Sequence, residues 1–164
     1  MTTTLIRILG PQHRNLSFAL ATTTFFGVSC GLLFTPYMGI ATVSYGMLLT
    51  GAFLARRNPK LHGSLMVTGA SIDLTLVLFL EFSRDAIAEA VSLQMTLPQQ
   101  LHIAFSTLAV LLYFPMAWLG WRAYQGSSST RLAHRRLGYV TLAFRTLGFL
   151  LMFSLINHVT SVAN

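Results

Sequence analysis

Charge is scarce in this chain: Asp, Glu, Lys and Arg make up only 9% of its 164 residues, against about 25% in a soluble domain. Apolar residues make up 54%, and mean hydropathy is +0.63. That balance excludes an ordinary soluble domain and points to an integral membrane protein, with a single bundle the expected size. Acidic residues are scarcer still, four against eleven Lys and Arg, for a net charge of +7. The positive excess does not point to nucleic acid, because the basic residues sit in short clusters between apolar runs. Cysteine is nearly absent. Cys30 stands alone in an apolar run, which excludes an intrachain disulfide and any cysteine-based zinc or iron–sulfur site. There is no nucleotide-binding glycine loop, no serine–histidine–acid arrangement and no closely paired carboxylates within a span. No catalytic residue is therefore assigned. The first fifteen residues hold no apolar core followed by a cleavage site, so no removable signal peptide is expected.

What is present is apolar length. Residues 16–55 carry no charge, enough for two crossings at roughly 20 residues each. Thr35-Pro36-Tyr37-Met38-Gly39 supplies the punctuation for a tight hairpin. Three further runs follow, and the expected spans are 16–35, 38–55, 63–82, 101–124 and 137–157. The fold class is thus all-α, a membrane bundle of five transmembrane helices. It comprises a cytoplasmic tail (1–15), one five-helix domain (16–158) and a short outer tail (159–164). Pro115 should kink the fourth span or loosen its hydrogen bonds. Five crossings place Arg7, Arg14, Arg56, Arg57, Lys60, Arg122, Arg131, Arg135 and Arg136 on one side, leaving Arg84 on the other. The positive-inside rule then puts the N-terminus in the cytoplasm; four crossings would scatter the basic loops to both faces. In the outer segment 83–100, residues 85–91 suit a short surface helix. The inner segment 125–130 reads as a flexible linker. Trp118, Trp121 and Tyr124 suit an interfacial aromatic belt.

Two lone charges interrupt the apolar runs. Asp73 lies eleven residues after His62, and Arg145 eleven after His134. Spans 2–3 and 4–5 thus look like two copies of one hairpin, a parallel repeat about an axis along the membrane normal. Eleven residues of helix rise about 16 Å, near the middle of a hydrocarbon core about 30 Å thick. A charge at that depth costs roughly 2.5–3.5 kcal/mol on insertion scales unless paired. Asp73 and Arg145 are therefore expected as an ion pair pinning span 3 to span 5, the alternative being a proton or ligand site. His62, Met66, Gly69 and Asp73 recur at helical spacing, which marks an inward stripe.

The histidines form the second constellation. His62 and His134 are expected to open their helices at the inner surface, while His102 opens span 4 and His158 ends span 5 at the outer one. Neutral imidazole is a ligand for haem and for several metals. One pair per face would suit haem b, or a metal ion with Met66 as a further ligand. Two pairs would allow electron transfer across the membrane. The competing reading is that interfacial histidines only anchor helix ends or cap their carbonyls. His13 is given no role. Gly27 and Gly31 form a GxxxG that permits close helix approach, with a partner protein as one candidate. The remaining methionines read as packing.

Several short features lie together over residues 38–154: the basic turn Ala55-Arg56-Arg57, then His62-Gly63-Ser64-Leu65-Met66, then Leu101-His102-Ile103-Ala104 with Pro115 beyond it, and Arg131-Leu132-Ala133-His134-Arg135-Arg136. With these the chain resembles the YozB/CtaM-like family of small bacterial membrane proteins, long classed as of unknown function. The resemblance implies a helical bundle of the bacterial inner membrane linked to respiratory-chain biogenesis, since some members are associated with maturation of haem–copper oxidases. It points to His62, His102 and His134, whereas His158 lies past the matching region. Asp73 and Arg145 are not part of the pattern, and Gly63-Ser64 stands where basic residues would follow the histidine. Three functions stay open: an accessory or assembly protein of a respiratory or other energy-transducing complex, holding haem or a metal; a diheme b-type electron carrier; and a cofactor-free structural subunit. The partners expected in each case are the lipid bilayer and other membrane-protein subunits. A transporter has little basis without a pair of broken helices.

Overall fold

The computed structural model describes residues 11–84 and 96–153, with side chains for all of these except 11–15, 84 and 128. Every element among the described residues is an α-helix: α1 Pro11–Leu33, α2 Pro36–Leu54, α3 Pro59–Arg84, α4 Leu97–Tyr124 and α5 Ser128–Met152. Four of them, α1 to α4, hold stretches long and apolar enough to cross a membrane. Within the described residues α5 does not reach that standard, because Arg131, Arg135, Arg136 and Arg145 all lie on it. The run expected as the fifth span continues to residue 157, and its last four residues lie outside the described residues, as do His158 and the candidate surface helix at 85–91.

The helix starts follow local chemistry. Thr35 caps α2, its hydroxyl accepting the Met38 N–H at 3.3 Å, with Pro36 in the first turn. Asn58 caps α3 by accepting the Leu61 N–H at 3.1 Å. Ahead of α4, the Thr96 N–H donates to Gln99 Oε1 at 2.8 Å, one arm of a capping box. α4 runs as a single helix through Pro115.

The inner linker is shorter than its composition suggests. Only Gln125, Gly126 and Ser127 separate α4 from α5, with Gly126 at φ 103°, a left-handed position that suits glycine at a helix end. Ser128, Ser129 and Thr130 already belong to α5. Serine and threonine read as linker residues in a list but are favoured at a helix start, and the Thr130 hydroxyl donates back to the Ser127 carbonyl at 2.9 Å. His134 is consequently nearly two turns inside its helix, not at its opening.

The chain divides into two units, Met1–Thr68 and Gly69–Asn164. In the first, α1 and α2 run antiparallel and meet through glycines. A β-carbon built on Gly39 would lie 2.6 Å from the Gly27 carbonyl oxygen and 2.9 Å from Gly31 Cα, and one on Gly46 would strike the Thr23 side chain. The GxxxG of α1 therefore faces α2 of the same chain. In the second unit α4 and α5 form an antiparallel pair in which Phe105 stacks on Phe144 at 5.8 Å between ring centroids and Gly148 rests on Ser106. Small polar side chains share the interior with Leu48, Met38 and Met152, Ser44, Thr42 and Thr141 being buried, whereas many large apolar ones, among them Phe18, Leu32, Phe53 and Phe82, are exposed.

Candidate functional site

Asp73 on α3, Arg145 on α5 and Tyr113 on α4 meet inside the second unit. The Arg145 Nε donates to Asp73 Oδ2 at 2.6 Å and its Nη2 to Oδ1 at 2.8 Å. The Tyr113 hydroxyl donates to the same Oδ2 at 2.7 Å. Asp73 is 4% exposed and Arg145 6%. A planar guanidinium suits this two-point contact in a way a lysine ammonium would not. The carboxylate accepts three hydrogen bonds, and the positive charge facing it cancels its own. Buried ionic groups of this kind hold only when both the charge and the hydrogen-bonding capacity are matched.

Tyr113 was not among the residues singled out from the sequence, although a signal for it exists. It lies eleven residues after His102, the offset that separates His62 from Asp73 and His134 from Arg145. Three helices thus carry a histidine near the start and a polar group three turns on, and the three polar groups meet. Tyr113→Phe is expected to lower stability by about 1.5 kcal/mol, the low end for a hydrogen bond to a charged group, because Arg145 still covers both carboxylate oxygens. Thermal unfolding in detergent measures the difference.

The three described histidines away from the N-terminal segment each lie against a glycine of the neighbouring helix. In the first unit the His62 Nδ1 stands 2.8 Å from the Gly51 carbonyl oxygen of α2. In the second, the His102 Nδ1 stands 2.6 Å from the Gly148 carbonyl oxygen of α5. A carbonyl only accepts, so in each of these contacts Nδ1 is the donor. The His134 ring covers Gly120 of α4, where a β-carbon would sit 3.0 Å from Cε1. Met66 packs on Gly51 as well, its sulfur 3.0 Å from where a β-carbon would be.

Neither expected histidine pair, His62 with His134 or His102 with His158, lies wholly among the described residues of one unit. α4 and α5 are antiparallel, so His102 and His134 stand near opposite ends of their hairpin and are not brought together. Of the expected inner pair, His62 belongs to the first unit and His134 to the second. The expected outer pair requires His158, outside the described residues. Among the described residues no three His, Cys, Asp or Glu side chains gather as a metal site. Compared with protein-family models, with curated proteins and with solved structures, the chain matches none.

Proposed function

We propose that the protein is a multi-pass accessory or assembly protein of a respiratory or other energy-transducing complex in the bacterial inner membrane, and that His62 and His102 hold haem b or a metal ion. The observation that carries this reading is the main-chain carbonyl held by each Nδ1–H. Histidines that ligate metals almost always donate their other ring N–H to such an acceptor, which fixes the tautomer, aims the ring and raises ligand basicity. His62 and His102 would hold the group through their rings, and haem, when bound, would supply a one-electron couple. The resemblance to the YozB/CtaM-like family supports the same assignment. Membrane residence is supported by the outward apolar faces and by a buried ion pair at the expected mid-depth, with α5 as the fifth crossing and the N-terminus cytoplasmic.

A second reading is favoured by a specific observation. The hydrogen bonds from His62 to Gly51 and from His102 to Gly148 also tie helix to helix without any cofactor, as a purely structural subunit would need. One substitution separates the two. Asparagine at position 102 can keep an N–H directed at the Gly148 carbonyl but has no second ring nitrogen. If His102 is a ligand, His102→Asn should fold normally yet lose the b-type bands in the reduced-minus-oxidised spectrum. If it is only a tie, His102→Asn should match the parent, while His102→Ala loses about 0.5–1.5 kcal/mol with the lost hydrogen bond. Two haems per chain would favour the electron carrier. An absence of b-type bands after haem-replete expression sinks the haem assignment, and recovery only within a large stable complex favours the structural subunit.

A further inference from the structure

α5 begins in a way its own electrostatics oppose. Arg131, Arg135 and Arg136 occupy its first three turns, and that first turn holds no acidic residue. Positive charge near a helix N-terminus is disfavoured by the helix dipole, and Arg131 and Arg135, four apart, repel each other. At 100° per residue, Arg131, Arg135, Tyr139, Leu132 and Arg136 fall in that order on one face about 140° wide, and all five are exposed. The opposite face carries His134, Thr141 and Arg145, which turn inward. Across the three-residue turn, the end of α4 adds Arg122, whose guanidinium lies 5.2 Å from the centre of the Trp118 ring, together with exposed Trp121 and Tyr124. Among the described residues no carboxylate lies within ion-pair distance of any of these four arginines.

Exposed arginines that meet no carboxylate among the described residues, bordered by exposed tryptophan and tyrosine, match one occupant: an anionic headgroup whose acyl chains continue along the aromatic face. We infer that the α4–α5 turn, with Arg122, Arg131, Arg135 and Arg136, binds the phosphate of anionic glycerophospholipids. Guanidinium groups pair with phosphate oxygens two at a time, tryptophan and tyrosine settle at headgroup depth, and basic residues flanking a membrane helix select anionic lipid. The energy lost by crowding positive charge at the start of α5 is then offset by lipid rather than by protein. This inference rests on the membrane reading above.

The chain provides its own probe. Its two tryptophans, Trp118 and Trp121, both lie at this turn, so intrinsic fluorescence reports on it alone. The protein is reconstituted into phosphatidylcholine vesicles containing equal fractions of either brominated phosphatidylglycerol or brominated phosphatidylcholine. Brominated phosphatidylglycerol is expected to quench more strongly, with an apparent preference that falls up to about fivefold for each arginine replaced by glutamine and weakens in high salt. Equal quenching by the two lipids overturns the lipid site while leaving membrane residence intact, and would give the arginine face to an acidic protein partner. Quenching by neither overturns both readings. Excess quenching that persists in R131Q/R135Q/R136Q would overturn the assignment to these residues.

Discussion

Asp73→Ala is expected to destabilise the second unit by about 3–5 kcal/mol, the range for removing one partner of a buried ion pair. The variant removes all three acceptor contacts at once. It leaves the Arg145 guanidinium buried with the Tyr113 hydroxyl beside it and no negative charge to answer it. Arg145→Leu in the same background removes that uncompensated charge and should recover part of the loss, since a well-packed apolar replacement of a buried pair is often neutral or even stabilising by about 1–4 kcal/mol. Arg145→Lys should be closer to Asp73→Ala than to the parent, because an ammonium cannot supply the two fixed donors that now meet Oδ1 and Oδ2 at 2.8 and 2.6 Å. Denaturant titration of the four proteins in one detergent decides the matter. A double variant no more stable than Asp73→Ala would mean that the cost lies in something other than a stranded arginine.

How the site was legible follows from what each residue costs. Asp73 and Arg145 stand out in any hydropathy reading because a charge in an apolar run demands a partner, and each lies the same eleven residues beyond a histidine. Tyr113 satisfies the same arithmetic but is silent to it: a tyrosine in an apolar helix is inexpensive, and only the carboxylate it meets makes its hydroxyl matter. The histidine contacts were illegible for a different reason. Their acceptors are the main-chain carbonyls of Gly51 and Gly148, and a backbone oxygen leaves no mark in a sequence. What the sequence does carry is the glycine, the residue that lets a ring approach that carbonyl. In both hairpins a histidine early in the second helix lies on a glycine late in the first, His62 on Gly51 and His134 on Gly120. The helices themselves were legible from apolar length, but their ends were not. α3, α4 and α5 each begin four or more residues before the apolar run; at α3 and α4 capping and proline placement set the start independently of hydropathy.

Gly39→Leu is expected to cost more than about 3 kcal/mol, beyond the usual range for overpacking, and to separate α1 from α2. The reason is what the new side chain would meet. Around Gly39 the obstructing atoms are the Gly27 carbonyl oxygen at 2.6 Å, Gly31 Cα at 2.9 Å and Gly31 N at 3.1 Å from the β-carbon. All three are main-chain atoms of a helix, so no rotamer change relieves them and the whole of α1 has to move. Gly148 is an intermediate case. Its nearest obstruction is the Ser106 hydroxyl at 2.6 Å, which can turn aside, with the Ser106 N and Cα behind it at 3.2 and 3.4 Å. Gly148→Ala should therefore cost less than Gly39→Ala, and what it costs should come with a weakened His102 contact to the Gly148 carbonyl. Gly63 is the control. A β-carbon there meets nothing within 4 Å, so Gly63→Ala should stabilise α3 by roughly 0.5–1 kcal/mol through helix propensity alone. The order Gly39, Gly148, Gly63 in thermal shift tests whether backbone proximity, rather than the mere presence of glycine in an apolar helix, holds the first hairpin together. If Gly39→Leu unfolds no earlier than Gly148→Ala, α1 and α2 do not meet through their glycines. The GxxxG of α1 would then be available to another chain.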